Sequence, residues 1–308
     1  MYLNAAWRRC SDRFDEALLF IDETANVARN TASSSLRSDI YGSWVLLSYS
    51  CCQFSLAEIG RGSMNFLGWK YKYPSSLPDH LLKSHEKAML DRARKLTDSG
   101  NARQASVKQI LRGMYSSDWA DSSVLLAMDR NVWPDNVREW LKRLGVDDGD
   151  MAWMSDPASP ITSETYKSRM TELVRERNPI AHGESPSSLL SAELMKEWLM
   201  ECRGFMERCA MTVELRLAMD HRPGLRRIGV VNRSMNLGKN TVPLTRLNHP
   251  LRVGDHVLLA AGEVRKKIAR IDSIKSHGND YRELPQGHEA VAIGLSKPHQ
   301  NYGVFLTP

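Results

Sequence analysis

At 308 residues the chain can form two domains with separate cores, and its 42% hydrophobic and 25% charged content is ordinary for soluble globular protein. Five cysteines (Cys10, Cys51, Cys52, Cys202, Cys209) without CxxC or Cys/His spacing argue against a zinc site and against a disulfide framework, so the reducing cytoplasm is the expected compartment. The net charge of +6 is unevenly placed: residues 225–308 hold 13 Lys and Arg against 6 Asp and Glu, a balance of +7, while the remainder holds 29 against 30. A basic excess confined to the last quarter is the asymmetry expected when one module meets a polyanion.

Charge enters early in Met1 to Arg9 and no apolar run follows, so no secretory leader is expected. Ala5 to Arg29 carries Trp7, Phe14, Leu18, Ile21 and Ala25 at helical spacing. Serines 33–35 break that helix and can cap the next, Leu36 to about Leu67, which is the most apolar element and should be central. Its uncharged run, Ile40 to Ala57, contains four serines, a glycine and a glutamine, which suits a buried helix and not a membrane span. After a connection at Tyr71 to Pro78, Pro78-Asp79 opens a third helix ending near Gly100. Shorter helices are expected at Val107 to Tyr115, Ser122 to Met128 and Pro134 to Leu144, followed by a loop of about 14 residues from Asp147 to Pro160.

Thr162 or Ser163 is then expected to cap a helix that stops at a proline, in the stretch Arg175-Glu176-Arg177-Asn178-Pro179-Ile180-Ala181-His182-Gly183. With Tyr166 as zero and about 100° per residue, Met170, Leu173, Val174 and Arg177 fall at roughly 40°, 340°, 80° and 20°, and Arg175 at roughly 180°. Arg177 therefore points along the buried stripe while Arg175 faces water. A cation aimed inward at a helix end, beside a histidine, either satisfies backbone carbonyls there or holds an anion. Ser191 starts a long final helix to about Met219, apolar at Leu194, Trp198, Phe205, Ala210, Val213 and Leu217.

Past His221-Arg222-Pro223-Gly224 the period changes to two. Short strands are expected at Ile228 to Val231, Val242 to Leu244, His256 to Leu259, Ile268 to Ile274, Ala290 to Leu295 and Gly303 to Leu306, separated by Gly, Pro and Asn/Asp turns. Six strands in so short a segment argue for a small β-barrel. Its cluster Arg265, Lys266, Lys267 and Arg270 is the candidate phosphate contact, against the plainer reading of a solvated strand and turn.

An arginine and a histidine without a nucleophile motif or metal cluster suit one reaction class. RNA supplies its own nucleophile, the ribose 2′-hydroxyl. Histidine can transfer that proton near neutral pH, and arginine is a fork-shaped donor for phosphate oxygens. One such pair lacks a second acid or base, which a symmetric dimer would supply.

Arg177-Asn178-Pro179-Ile180-Ala181-His182-Gly183 resembles the Arg-x4-6-His signature, commonly RNxxAHG, of the HEPN superfamily. The apolar helix at Trp44 to Phe54, Leu144-Gly145-Val146 and Leu173-Val174 are similar to the MAE_28990/RiboL-PSP type over roughly residues 1–220. The resemblance implies a helical bundle working as a homodimer, with catalytic Arg177 and His182, a supporting Asn178, and no metal or cofactor. Many relatives place an acidic residue on the second helix, about where Gln53 stands here, which puts any role of that helix in doubt. Separately, Leu251 to Val257, Ala269 to Ile274 and Gly287 to Ile293 resemble in order the second-domain β-barrel of translational GTPases, although no P-loop is present. That likeness implies contact with tRNA or ribosomal RNA.

The expectation is thus an α+β multidomain chain, with an all-α HEPN-like bundle (1–220) followed by a basic β-barrel (225–308). Its expected activity is metal-independent endoribonuclease, as a toxin or defence effector compatible with an antitoxin or defence-system partner. The alternative is a non-catalytic HEPN dimer serving as an RNA-binding or protein scaffold.

Overall fold

The computed structural model describes residues 2–98, 116–117, 119–122, 126, 131–160, 163–186, 188–220, 226–232, 235, 237–261, 265–299 and 302–306. The helix expected at Val107 to Tyr115, and most of that at Ser122 to Met128, lie outside the described residues. The chain divides into two compact units, Arg9–Ala210 and Met1–Arg8 with Met211–Pro308.

The first unit is helical. Its α-helices belong to α1 (Tyr2–Asn30), α2 (Ser34–Lys70), α3 (Asp79–Asp98), α4 (Pro134–Lys142), α5 (Tyr166–Ala181) and α6 (Ala192–Asp220). The 37-residue α2 starts where the Ser33 hydroxyl accepts the Leu36 N–H at 3.3 Å. Between Tyr41 and Leu67, the fully exposed positions form one narrow stripe at Ser43, Leu46, Ser50, Gln53, Ala57, Arg61 and Asn65. Those positions recur every three or four residues, which leaves the rest of the helix circumference inside the core. Its buried serines do not need outside partners: Ser48, Ser55 and Ser63 each bond the carbonyl four residues back at 2.8 Å. Buried Glu58 is met by Arg9 at 2.6 Å and by Arg61. All five cysteines are buried free thiols.

Two expectations for the middle of the unit need correction. Half of the loop expected from Asp147 is a 3₁₀-helix at Gly149–Ser155, because Met151, Trp153 and Met154 are apolar enough to hold it down. Trp153 packs edge-on against Tyr166 and Phe205 at 6.0 and 5.2 Å. The cap of α5 is neither Thr162, outside the described residues, nor Ser163 but Thr165. Its hydroxyl accepts the Ser168 N–H at 3.1 Å while the Ser168 hydroxyl accepts the Thr165 N–H at 2.9 Å. Serine stands here where glutamate usually completes such a reciprocal box.

The second unit carries a nearly closed antiparallel barrel of β1 (Gly229–Val231), β2 (Thr241–Leu247), β3 (Leu251–Arg252), β4 (His256–Ala261), β5 (Arg265–Ser276), β6 (Asn279–Tyr281), β7 (Glu283–Leu284), β8 (Glu289–Leu295) and β9 (Gly303–Leu306). The sheet runs β1-β2-β8-β5-β4-β9, with β6 on β5 and a separate β3–β7 pair. An Arg227–Phe305 bridge brings its first and last strands together, with Ile228 N–H donating to the Val304 carbonyl at 3.3 Å. The six expected strands are present, and β3, β6 and β7, two or three residues each, were not expected. Alternation fills the interior from Val242, Leu244, Val257, Ala269, Ile271 and Ile293. A slip at Ser273 lets β5 bend against Gly294, where a Cβ would run into the Ser273 hydroxyl.

The outer face of the barrel is not bare within this unit. Ala218, Met211 and Leu215 of α6 cover Leu258 and Ile268. Residues 4–8 of α1 make the polar counterpart. The Asn4 amide donates to the His256 carbonyl at 2.8 Å and accepts the His256 N–H at 2.7 Å. Arg8 grips Asp255 through two bonds of 2.7 and 2.6 Å. The Trp7 ring stacks on the His256 imidazole, which meets the fully buried Glu214 at 2.9 Å. Asn4→Ala strands a buried donor and a buried acceptor together, so it is expected to lower stability by about 2–4 kcal/mol, read as a shift of the denaturant midpoint at unchanged slope.

Candidate active site

The RNPIAHG stretch lies in the last turns of α5, beside α2. Gly42 of α2 allows the approach: a Cβ there would stand 3.3 Å from Ile180 Cγ2. Met170, Leu173 and Val174 are fully buried, Arg175 is exposed, and Arg177 and Asn178 are half-buried. Both alternatives for Arg177 can now be weighed at atomic contacts.

The helix does not stop at Pro179 as expected; it continues to Ala181 with the proline inside it. Near a helix end the missing proline N–H removes only one bond, and the carbonyls beyond are satisfied from the loop. The N–H of Gly183 donates to Ile180 at 3.0 Å and that of Glu184 reaches Pro179 at 3.0 Å. Gly183 has φ +84 and His182 is the C-cap. This is a Schellman closure, in which the glycine takes the left-handed position. The last carbonyls are therefore capped by backbone, and Arg177 is not used for that purpose.

Arg177 instead lies over an aromatic face. Its guanidinium carbon is 4.5 Å from the centroid of the Tyr49 ring on α2. Nη1 donates to the Asn178 amide oxygen at 3.3 Å, and Nε is buried without a hydrogen-bond partner. No carboxylate among the described residues pairs with it. Its neighbour Glu176 is handled differently. Burial first, and then the charge and hydrogen bond of Glu176, push the Tyr41 hydroxyl above its ordinary 10.0. Tyr49 is likewise raised by burial, which the Val132 N–H and the Arg177 charge oppose. His182 stands exposed just past the helix, five residues on from Arg177 and so about 7 Å further along the axis. The site thus sets one half-buried cation, an oriented amide and one accessible imidazole at a helix terminus.

Of the candidate barrel residues, Lys266 and Lys267 do not share one patch. Side chains alternate along β5, so Lys266 and Lys267 face opposite ways. Lys266 donates to the Ala218 carbonyl at the end of α6 at 2.7 Å, and Lys267 lies 4.4 Å from the Tyr302 ring centroid. Arg270 bonds Asp272 at 2.9 Å. Arg265 opens the strand, paired with Ala261.

Residues 8–210 match the model of the RiboL-PSP-HEPN family. The chain belongs to this family. The matched span nearly coincides with the helical unit, so the HEPN domain is Arg9–Ala210 in structural terms. No curated protein and no solved structure matches the chain. HEPN proteins are generally nucleases or RNA binders, which fits an arginine kept clear of carboxylates. Sequence reading passed over Tyr49 because it treated α2 as core; the period that buries Tyr49 also puts it one turn before Gln53, the position it did single out.

Two outcomes test this geometry. A Cβ on Gly183 meets nothing within 4 Å, so Gly183→Ala should cost about 1 kcal/mol from backbone conformation alone, measured by thermal unfolding. Burial also raises Cys51 to about 11 and Cys10 to about 12 from 9.0. These folded values, with those of the two tyrosines, lie above the unfolded ones. Their contribution is fully present below pH 9 and is lost as pH climbs through the folded values. Urea unfolding should show stability falling progressively above pH 9.

Proposed function

We propose that this HEPN protein is a metal-independent endoribonuclease that acts as a toxin or defence effector. The observation that carries the reading is Arg177, a half-buried cation with no carboxylate partner among the described residues, next to the exposed His182. In this reading Arg177 holds the scissile phosphate and neutralises charge on the phosphorane. His182 takes the 2′-hydroxyl proton, the 2′-oxygen attacks phosphorus, and the 5′-oxygen leaves with a proton. Asn178, whose oxygen is turned to Arg177, presents its amide N–H groups to substrate.

One imidazole cannot both remove and deliver a proton in the same step. A homodimer through the helical domain that sets two α5 termini around one phosphate supplies the second. The barrel, with the basic excess of residues 225–308, brings structured RNA such as tRNA or ribosomal RNA. A partner that caps or modifies the protein keeps such an activity in check.

Cleavage of bulk tRNA in EDTA is the direct test. Wild type should release 2′,3′-cyclic phosphate and 5′-hydroxyl ends, and His182→Ala should be slower by roughly 10²–10⁴-fold. Undiminished cleavage by His182→Ala would sink the site. Tight RNA binding with no cleavage by wild type would move the protein to the non-catalytic scaffold class.

A further inference from the structure

Holding a phosphate requires that Arg177 itself be held, and no carboxylate among the described residues does so. Two contacts define its place, the Tyr49 ring face at 4.5 Å and the Asn178 oxygen at 3.3 Å, while its Nε is buried with no protein partner. Asn178 is the next residue on the same helix, so its bond does little to fix the cation relative to the rest of the fold. Tyr49 is different. It is 2% exposed, and its hydroxyl is pinned from three directions. The Val132 N–H donates to it at 3.3 Å, the Gln53 amide donates to it at 3.3 Å, and it donates to the Asn131 oxygen at 3.1 Å. Those partners lie on α2 itself and in the segment leading into α4, so the ring is braced by two parts of the helical unit.

Resting on the endoribonuclease reading, we propose that Tyr49 is the positioning residue of the phosphate site. Its braced ring face holds the Arg177 guanidinium in place without giving it a counter-charge. A carboxylate in that position would fix the arginine equally well but neutralise it, and an incoming phosphate would have to displace the carboxylate. The ring attracts the cation through its quadrupole and leaves the full charge for substrate. The Arg177 Nε is likewise free of any protein acceptor among the described residues, so no carboxylate or carbonyl there competes with substrate. Gln53 links the exposed stripe of α2 to the same hydroxyl, which gives that position a role through Tyr49 although it carries no acid.

The test changes the electrostatics of the ring while keeping its shape. Phenylalanine and its mono-, di- and trifluorinated analogues are placed at position 49 of the full chain, and Tyr49→Leu is made beside them. Every aromatic variant lacks the hydroxyl network equally, so differences among them report the ring face alone. With bulk tRNA as probe, kcat should fall stepwise with each fluorine as the quadrupole weakens. Tyr49→Leu should lie about tenfold below Tyr49→Phe in kcat, with KM changed less than about twofold because remote contacts set it. A flat fluorine series with Tyr49→Leu equal to Tyr49→Phe overturns the assignment.

A wild-type chain that leaves tRNA intact defeats the nuclease reading, and the assignment is then read by NMR. The Arg177 Nε–H signal should be shielded by the ring in wild type and in Tyr49→Phe, and should move on titration with inorganic phosphate. Tyr49→Leu should lose both the shielding and the response. A wild-type signal indifferent to phosphate, or an equal response in Tyr49→Phe and Tyr49→Leu, overturns it.

Discussion

A helix surrounded by protein on nearly all sides must settle its own polar groups, and α2 shows how that constraint shapes the HEPN unit. Its serines turn back onto their own carbonyls, its one buried glutamate takes two arginines, and Gly42 is where α5 comes close. What remains for water is a stripe one residue wide. The tyrosines on either side of Gly42 are the exception, since both direct their chemistry to α5. The end of α5 therefore meets α2 at the bare backbone of Gly42 and at those two rings.

Against that background the treatment of two adjacent charges on α5 is informative. Beyond the effect of burial, Glu176 acts on the Tyr41 hydroxyl, which holds its proton more tightly than the ordinary 10.0. Arg177 receives a ring face and its own neighbour's amide, which leaves Nε orphaned. The Schellman closure at Gly183 completes the picture by taking over the capping that arginine often performs. With the helix end satisfied by backbone, the cation has no structural duty there.

Much of this was legible in the sequence where periodicity had length to act on. The wheel put Met170, Leu173, Val174 and Arg177 on one side because sixteen residues of α5 give it more than four turns. Strands β2, β4, β5 and β8 emerged for the same reason. Pro179 misled because a proline is read as a stop, whereas near a C-terminus it forfeits one bond that the helix can spare. The Tyr49 contact was invisible because a cation–π pair between residues far apart in the chain leaves no local mark, and an aromatic in a core helix looks like packing. The basic run in β5 misled in the opposite way. Adjacent charges look like a patch, but a strand sends them to opposite faces, and Lys266 ends on a helix carbonyl.

The barrel unit draws its parts from distant stretches of the chain. Asn4 meets His256 across 252 residues, and the sheet closes only when Phe305 reaches Arg227. The intervening HEPN unit is continuous, Arg9–Ala210. On the ribosome, where a chain grows at about 5–20 residues per second, the HEPN unit has all its residues long before the barrel has any closing strand. The helical domain is thus free to fold while residues 4–8 still wait for their strand, and the barrel has to assemble late, onto a chain already largely structured.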